Sequence, residues 1–232
     1  VLITGGDGML GSSICREALA QGYEVRVMVL PGRVVSVLEG LDLSYCYGNL
    51  LDPESLYNAV EGCDYVINVA ASTQIWPRRS ELIWKINYES VEHLVDACKR
   101  FNIKRFVQIG TANSFGHGSV SKPGNEQTPF NGEAYKMDYV DSKYKAQTYL
   151  IDQCNAGQIS AVIINPTFMI GPFDSGPSSG KMLMALFKGS LPGYTSGMKN
   201  FVASKDVAVA AVNALVMGKS GSCYIAGNEN LT

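Results

Sequence analysis

The 232-residue sequence is poor in charge and has no concentration of basic residues. Charged residues make up 17% of the chain, the formal net charge is -2, and the pair Arg78 and Arg79 is too short to count as a basic cluster. Proteins that bind nucleic acids through the phosphate backbone usually carry clustered lysine and arginine. The sequence therefore gives no basis for a nucleic-acid partner.

Residues with metal-binding side chains are also scarce or scattered. The two histidines, His93 and His117, have no ligand spacing between them, and the six cysteines are widely separated and never form a C-x-x-C pair. This pattern argues against a zinc site of the usual spacing and against a small disulfide scaffold. We predict no metal site, free thiols and a cytoplasmic protein.

Long hydrophobic runs are absent. No stretch approaches the ~18 to 20 residues of a membrane-spanning helix, and the N-terminus lacks the regions of a signal peptide. Hydrophobic residues nevertheless make up 46% of the chain, which is enough for a sizeable core. We predict a globular chain without a membrane partner, and, because a strand is already under way at Val1, a portion of a longer sequence.

What the sequence does contain is an alternation of apolar runs with segments of helical period. The predicted strands are Val1–Thr4, Glu24–Leu30, Leu43–Tyr47, Tyr65–Ala70, Arg105–Gly110, Ala161–Asn165 and Cys223–Ala226. The predicted helices are Met9–Gln21, Pro53–Val60, Glu81–Phe101, Met137–Asn155, Lys181–Lys188 and Lys205–Met217. Right-handed crossovers then predict an α/β fold with a doubly wound parallel sheet, the Rossmann fold.

Three glycines, Gly5, Gly8 and Gly11, follow the first strand and precede the first helix. Such a junction exposes backbone N–H groups and the positive end of a helix dipole, and glycines let a pyrophosphate approach closely. The alternative is a merely flexible turn. The strand before and the amphipathic helix after the glycines favour a dinucleotide site.

The second strand ends without the acidic residue that usually binds the adenosine ribose in NAD sites, because Met28, Val29 and Leu30 stand there. Arg33 follows and could pair with the 2′-phosphate of NADP, or could be a solvated loop arginine. We predict NADP as the cofactor, with NAD as the alternative.

Tyr139 and Lys143 form a Y-x-x-x-K pair on one face of a predicted helix. A neighbouring ammonium is expected to lower the pKa of a phenol toward the range of a general acid-base. About 0.6 such pairs would arise by chance in a chain of this composition. Tyr135, one turn earlier, is followed at the same spacing by a tyrosine and not by a lysine.

The stretch "TGGDGMLG" at residues 4–11 resembles the T-G-x-x-G-x-x-G signature of the extended short-chain dehydrogenase/reductases, which bind NAD or NADP. The resemblance covers nearly the whole chain and is greatest to members like dihydroflavonol reductases and 3β-hydroxysteroid dehydrogenases. Further matching stretches are "GNLLD", "VINVAAS", "RFVQIGTANSFG", "YVDSK" and "INPTFMIGPFD".

The resemblance implies which residues form the site. Thr111, Tyr139 and Lys143 would be catalytic, with Thr111 binding the substrate oxygen and Tyr139 transferring its proton. Lys143 would also hold the nicotinamide ribose. The residues that would bind the cofactor are Gly5, Gly8, Met9, Leu10, Gly11, Arg33, Asn49, Leu50, Val69, Ala70, Ala71, Asn87, Tyr139, Lys143, Pro166, Thr167 and Phe168.

The same resemblance implies hydride transfer between a nicotinamide cofactor and a small carbonyl or alcohol substrate. A nucleotide-sugar epimerase or dehydratase with bound NAD is one alternative, and a non-catalytic NADP(H)-binding redox sensor is another. It also implies a homodimer through the helices Glu81–Phe101 and Met137–Asn155.

The domain organisation is predicted from a change in composition after Pro166, where glycine, proline and serine crowd "GPFDSGPSSG" and "GSLPGYTSG". This texture is typical of loops over a scaffold. We predict an NAD(P)-binding Rossmann domain at 1–165. Residues 166–232 would form a small, partly truncated substrate-binding lobe, interleaved with the last sheet elements.

Overall fold

Seven parallel strands form the central sheet, in the order β3-β2-β1-β4-β5-β6-β9. The computed structural model describes residues 1–33, 35–119, 121–174, 179–190, 193 and 197–231. The strands of this sheet are β1 (Leu2–Thr4), β2 (Arg26–Val29), β3 (Ser44–Tyr47), β4 (Tyr65–Asn68), β5 (Arg105–Ile109), β6 (Ala161–Pro166) and β9 (Cys223–Ala226). The strand order reverses between β1 and β4, and open α/β sheets bind ligands at such a reversal.

Helices cover both faces of the sheet. They are α1 (Met9–Ala20), α2 (Pro53–Val60), α3 (Glu81–Trp84), α4 (Ser90–Arg100), α5 (Asp138–Asn155), α6 (Gly180–Phe187) and α7 (Ser204–Met217). Helices α1 and α7 pack on one face, and α2, α4 and α5 pack on the other. The strands are buried from both sides: Ile3 and Val107 face the first layer, while Leu2 and Phe106 face the second. The predicted doubly wound fold is confirmed.

The predicted helix Glu81–Phe101 is not one continuous α-helix. A π-helical turn, Lys85–Glu89, separates α3 from α4. Within it Asn87 is buried, and its side chain bonds the backbone of Ser72 rather than facing solvent. Such a local change of helical pitch depends on contacts with another segment, which periodicity does not report. The homodimer expected through these helices stays a prediction.

The segment after Pro166 is more ordered than the loops we predicted. A second sheet, in the order β10-β8-β7, is formed by β7 (Phe168–Ile170), β8 (Lys199–Ala203) and β10 (Glu229–Leu231). These strands are short and lie between glycine-rich and proline-rich stretches, which hides their pattern. Residues 175–178, 191, 192 and 194–196 of the predicted loops lie outside the described residues. The division at residue 165 stays a prediction.

Where strand and helix ends differ from the predictions, they differ by one or two residues. Strand β2 covers Arg26–Val29 instead of Glu24–Leu30, and β4 ends at Asn68 instead of Ala70. The residues beyond β4 leave the sheet because Val69 and Ala70 turn their backbone N–H groups to the Thr4 hydroxyl. That departure opens the end of the sheet where the strand order reverses.

Candidate active site

The turn between β1 and α1 needs its glycines for two separate reasons. Gly5 has a positive φ of 65°, and a Cβ there would lie 2.7 Å from the Ala70 nitrogen. A Cβ on Gly11 would overlap the Gly5 carbonyl oxygen, so α1 packs directly against the turn. At Gly8 a Cβ would meet nothing closer than 3.5 Å. Gly8 is therefore free of packing constraints, and it faces a cavity.

This cavity, of about 660 Å³, lies at the carboxyl ends of the central strands. It brings together most of the residues predicted to bind a cofactor: Gly5, Gly8, Met9, Leu10, Gly11, Arg33, Asn49, Leu50, Val69, Ala70, Ala71, Tyr139 and Lys143. Gly8 is the N-cap of α1, and no side chain caps that end of the helix. The first N–H groups of α1 are thus left for a ligand with negative charge.

Tyr139 and Lys143 lie one turn apart on α5 and both line this cavity. The Tyr139 side chain is hydrogen-bonded to Thr111, which is buried at the end of β5. Burial raises the pKa of Tyr139, and the Thr111 hydrogen bond acts in the opposite direction. The three predicted catalytic residues therefore meet at one place.

Lys143 does not act on Tyr139 as we expected. Its Nζ donates a hydrogen bond of 2.6 Å to the Ile109 carbonyl oxygen, and burial lowers its pKa to about 8. The predicted lowering of the Tyr139 pKa by the ammonium is wrong for this arrangement, because burial of the phenol dominates and its pKa is raised. The spacing placed the two groups correctly, but it could not report the desolvation of either.

The N-terminus of α5 is tied to the segment before α3. Asp138 accepts hydrogen bonds of 2.6 Å from Arg79 and from the Ser80 backbone N–H, and its own N–H donates to the Arg78 carbonyl oxygen. Burial works against ionisation of Asp138, but these donors hold its pKa below the usual value. The helix that carries Tyr139 is therefore fixed at the end next to the cavity.

Four predicted cofactor residues do not line the cavity. Asn87 ties the segment after β4 to α5, because its amide bonds the backbone of Ser72 and the Ser142 hydroxyl. Pro166 ends β6, and the Thr167 hydroxyl donates to Asn200 at 2.8 Å. Phe168 packs edge-to-face on Phe201, with 5.3 Å between the ring centroids.

The cavity wall also includes residues that were not predicted to bind the cofactor. They are Thr4, Asp7, Met28, Val29, Leu30, Gly48, Leu51, Thr73, Ile86, Ile109, Gly110, Met169 and Asp174. Thr4 and Asp7 stand inside the glycine motif and could have been found there. Met169 lies on β7, a strand that was not predicted, and so gave no signal.

Arg33 forms a salt bridge with Asp7, with 2.8 Å between Nε and the carboxylate. The Arg33 side chain is 58% exposed, and ion pairs at such exposed positions contribute little stability. The pair joins the loop after β2 to the glycine turn. Arg33 is thereby held at the rim of the cavity without being locked there.

Metal-binding clusters and membrane-spanning helices are both absent from the described part of the chain. No group of three or more His, Cys, Asp or Glu side chains is placed there to hold a metal ion. Among the same residues no helix is long and apolar enough to cross a bilayer.

Comparison with known proteins decides the family. The model of the NAD-dependent epimerase/dehydratase family matches residues 1–227. The chain belongs to this family. The predicted resemblance to extended short-chain dehydrogenase/reductases is thereby confirmed, and the family's name gives the cofactor class, a nicotinamide adenine dinucleotide.

Curated relatives include several named as reductases or dehydrogenases. A Synechocystis protein named "Putative dihydroflavonol 4-reductase" is 28% identical over 235 residues, covering 99% of this chain and 68% of that protein. Sterol demethylase protein B of Methylococcus capsulatus is 27% identical over 234 residues, covering 100% of this chain and 70% of that protein. The relatives named as reductases and dehydrogenases support an NAD(P)-dependent oxidoreductase.

Solved structures agree with the fold. The crystal structure of gox2253 superposes with a TM-score of 0.92 at 30% identity, over 99% of this chain and 70% of that one. UDP-glucose 4-epimerase of Thermus thermophilus, solved in complex with NAD, gives a TM-score of 0.86 at 22% identity, over 100% of this chain and 78% of that one.

The glycine turn fits a dinucleotide in this family, and a single methyl group tests the fit. Gly8→Ala is expected to lower the affinity for NAD(P)H by tenfold or more, about 1.4 kcal/mol, because the added methyl group stands where a pyrophosphate approaches. Folding should lose less than about 1 kcal/mol, since the backbone of Gly8 suits alanine. Fluorescence titration and urea unfolding measure the two effects.

Gly11→Ala is the contrasting variant, because its methyl group would overlap the Gly5 backbone. It should lose stability as well as binding. If Gly8→Ala bound the cofactor as tightly as the unmodified chain, the pyrophosphate would not lie at Gly8.

Proposed function

We propose that the chain is an NADP-dependent reductase, or dehydrogenase in the reverse direction, acting on a small carbonyl or alcohol substrate. The observation that carries the proposal is that Tyr139 and Lys143 share one cavity with the glycine turn, with Thr111 hydrogen-bonded to Tyr139. Relatives named as reductases and dehydrogenases support the same reaction class.

Each residue has a distinct role in the proposed reaction. The nicotinamide cofactor supplies or accepts the hydride when bound. Tyr139 donates its hydroxyl proton to the substrate oxygen in reduction and takes it back in oxidation. Thr111 holds that hydroxyl by a hydrogen bond, and Lys143 would hold the nicotinamide ribose from the same wall. The raised pKa of Tyr139 suits a proton donor in reduction.

NADP is the proposed cofactor because of the charges near the end of β2. Leu30 stands at the cavity where an acid would bind the ribose of NAD, and Arg33 supplies a cation. The Asp7 salt bridge leaves part of the guanidinium available, since only Nε is paired at 2.8 Å. A 2′-phosphate would then bind the remaining N–H groups of Arg33.

Arg33→Gln is expected to weaken the binding of NADPH about tenfold, which corresponds to the loss of one exposed charge-assisted hydrogen bond. The affinity for NADH should change by no more than about twofold. Michaelis constants for both cofactors measure the effect. Arg100→Gln, which removes an arginine stacked on Tyr57 of α2, is the matched control. An equal loss for NADH and NADPH would show that Arg33 binds no 2′-phosphate.

The reaction itself is tested by mixing the purified protein with NADPH or NADH and a panel of aromatic ketones, aldehydes and steroid ketones. Carbonyl-dependent loss of cofactor absorbance supports the reductase. Cofactor binding without net oxidation, together with conversion of a nucleotide sugar, would replace it by an epimerase or dehydratase. Binding without any conversion would leave the redox sensor.

A further inference from the structure

A chain of buried polar side chains crosses the central sheet beneath the cavity. It starts at Thr4 on β1, continues through Asn68 on β4 and Gln108 on β5, and ends at the Ile109 carbonyl group, which also accepts from Lys143. All three side chains are 2% exposed or less. Positions buried on both faces of a parallel sheet normally carry apolar residues, because burying an amide is costly unless it is fully hydrogen-bonded.

The chemistry of Thr4 fixes the direction of every bond in this chain. The Thr4 oxygen accepts hydrogen bonds of 3.2 Å from the Val69 and Ala70 N–H groups, so its own hydrogen is donated to Asn68. The Asn68 atom next to Thr4 must then be its carbonyl oxygen. Its NH₂ group is thereby turned to Gln108.

The same reasoning continues along the sheet. Gln108 presents its oxygen to the Asn68 NH₂ group, with 2.9 Å between them. Its own NH₂ group is left at the other end and donates to the Ile109 carbonyl oxygen at 3.0 Å. Lys143 donates to that oxygen at 2.6 Å. The positive ends of both amides therefore point toward the lysine.

We propose that Asn68 and Gln108 are positioning residues: together they hold a side-chain N–H against the Ile109 carbonyl group and so fix the place and the environment of the Lys143 ammonium. Neither residue lines the cavity, and both act through Lys143. The catalytic meaning of this arrangement rests on the proposed function, whereas the hydrogen-bond chain does not.

The electrostatic consequence has a definite sign. Two amide dipoles with their positive ends toward Lys143 disfavour its charged form, as does its burial. The charged and titratable side chains described around the same cavity are Asp7, Arg33, Tyr139 and Asp174. None of these four side chains contributes to the lowered pKa of Lys143, whose cause is burial. We expect the two amide dipoles to act in the same direction as burial.

The test is the titration of Lys143 itself, followed by NMR of protein labelled with ¹³C at the lysine ε-carbons. Its resonance is the one that disappears in Lys143→Met. In Gln108→Leu the midpoint should rise on the order of one pH unit, because an opposing dipole is removed. Gln153→Leu is the control. Gln153 lies at the far end of α5 and accepts a hydrogen bond from Lys99, so its loss should leave the Lys143 midpoint unchanged.

Thr4→Val tests the proposed direction of the chain from its far end. Without the hydroxyl, the Asn68 and Gln108 amides are no longer forced into one orientation, and the Lys143 midpoint should rise by a smaller amount. Thr4→Ser should restore it. If Gln108→Leu does not fold, Thr4→Val and Thr4→Ser together still test whether the amide chain affects the Lys143 midpoint.

An unchanged Lys143 midpoint in a folded Gln108→Leu protein, or in Thr4→Val, would overturn the proposal. Because the measurement needs no substrate, the two proposals fail separately. A shifted Lys143 midpoint without carbonyl reduction would support the positioning role and contradict the reductase. Carbonyl reduction with an unchanged Lys143 midpoint would support the reductase and contradict the positioning role.

Discussion

Tyr139→Phe is expected to lower the rate of carbonyl reduction by about 10²- to 10⁴-fold, the usual contribution of a general acid. The substitution removes only the hydroxyl that Thr111 holds by a hydrogen bond, and the ring still fills the same wall of the cavity. Cofactor affinity should therefore stay within about twofold. Steady-state kinetics at saturating cofactor, with a separate binding titration, measure both quantities.

Tyr135→Phe is the matched control for this result. Tyr135 precedes α5, is 50% exposed and does not line the cavity, so its variant should retain normal rates. A Tyr139→Phe enzyme that kept a third or more of its activity would remove Tyr139 from the proton transfer. A loss of equal size in both variants would point to damage of the surrounding segment instead.

Lys143→Met is expected to stabilise the fold by about 3 kcal/mol near neutral pH while it abolishes most of the activity. The pKa of Lys143 is about 8 in the folded protein against an ordinary 10.5, and that difference is equivalent to about 3 kcal/mol. Methionine has nearly the same length and no charge to desolvate. The Ile109 carbonyl group keeps its hydrogen bond from Gln108.

The pH dependence gives this prediction its sign. Between about pH 8 and 10.5 the unfolded chain binds a proton at Lys143 that the folded chain does not, so the stability of the unmodified protein rises with pH there. The gain in free energy of unfolding of Lys143→Met over the unmodified protein is therefore complete below about pH 8 and disappears above about pH 10.5. Urea unfolding near pH 7 and near pH 10 measures the difference.

Lys145→Met provides the comparison, because Lys145 lies on the same helix but is exposed. It should show no gain that depends on pH. A Lys143→Met protein that is less stable than the unmodified protein at pH 7 would contradict the prediction. It would mean that the hydrogen bond to Ile109 stabilises the charged lysine by more than burial destabilises it.

Much of the fold and part of the site could be predicted because they depend on residues close together in sequence. The glycine turn is specified by Gly5, Gly8 and Gly11 between a strand and a helix, and Tyr139 and Lys143 share a helix face through a spacing of four. The doubly wound parallel sheet followed from the alternation of strands and helices and from the handedness of crossovers.

The rest depends on which distant residues meet. Asn68 and Gln108 are 40 residues apart, and only the register of β4 on β5 places their amides side by side. The Arg33 pairing with Asp7 depends in the same way on where the loop after β2 runs. Desolvation of Lys143 also follows from packing and not from its neighbours in sequence.

The pairing of β9 with β6 and the packing of α7 on α1 have a consequence for synthesis on the ribosome. Helix α1 is synthesised well before Val207 and Ala211 of α7, which cover its layer of the core. A nascent chain ending at β6 would present that apolar layer to water. This layer of the core can therefore close only after α7 has been synthesised, and apolar surface that stays exposed until then favours association between chains.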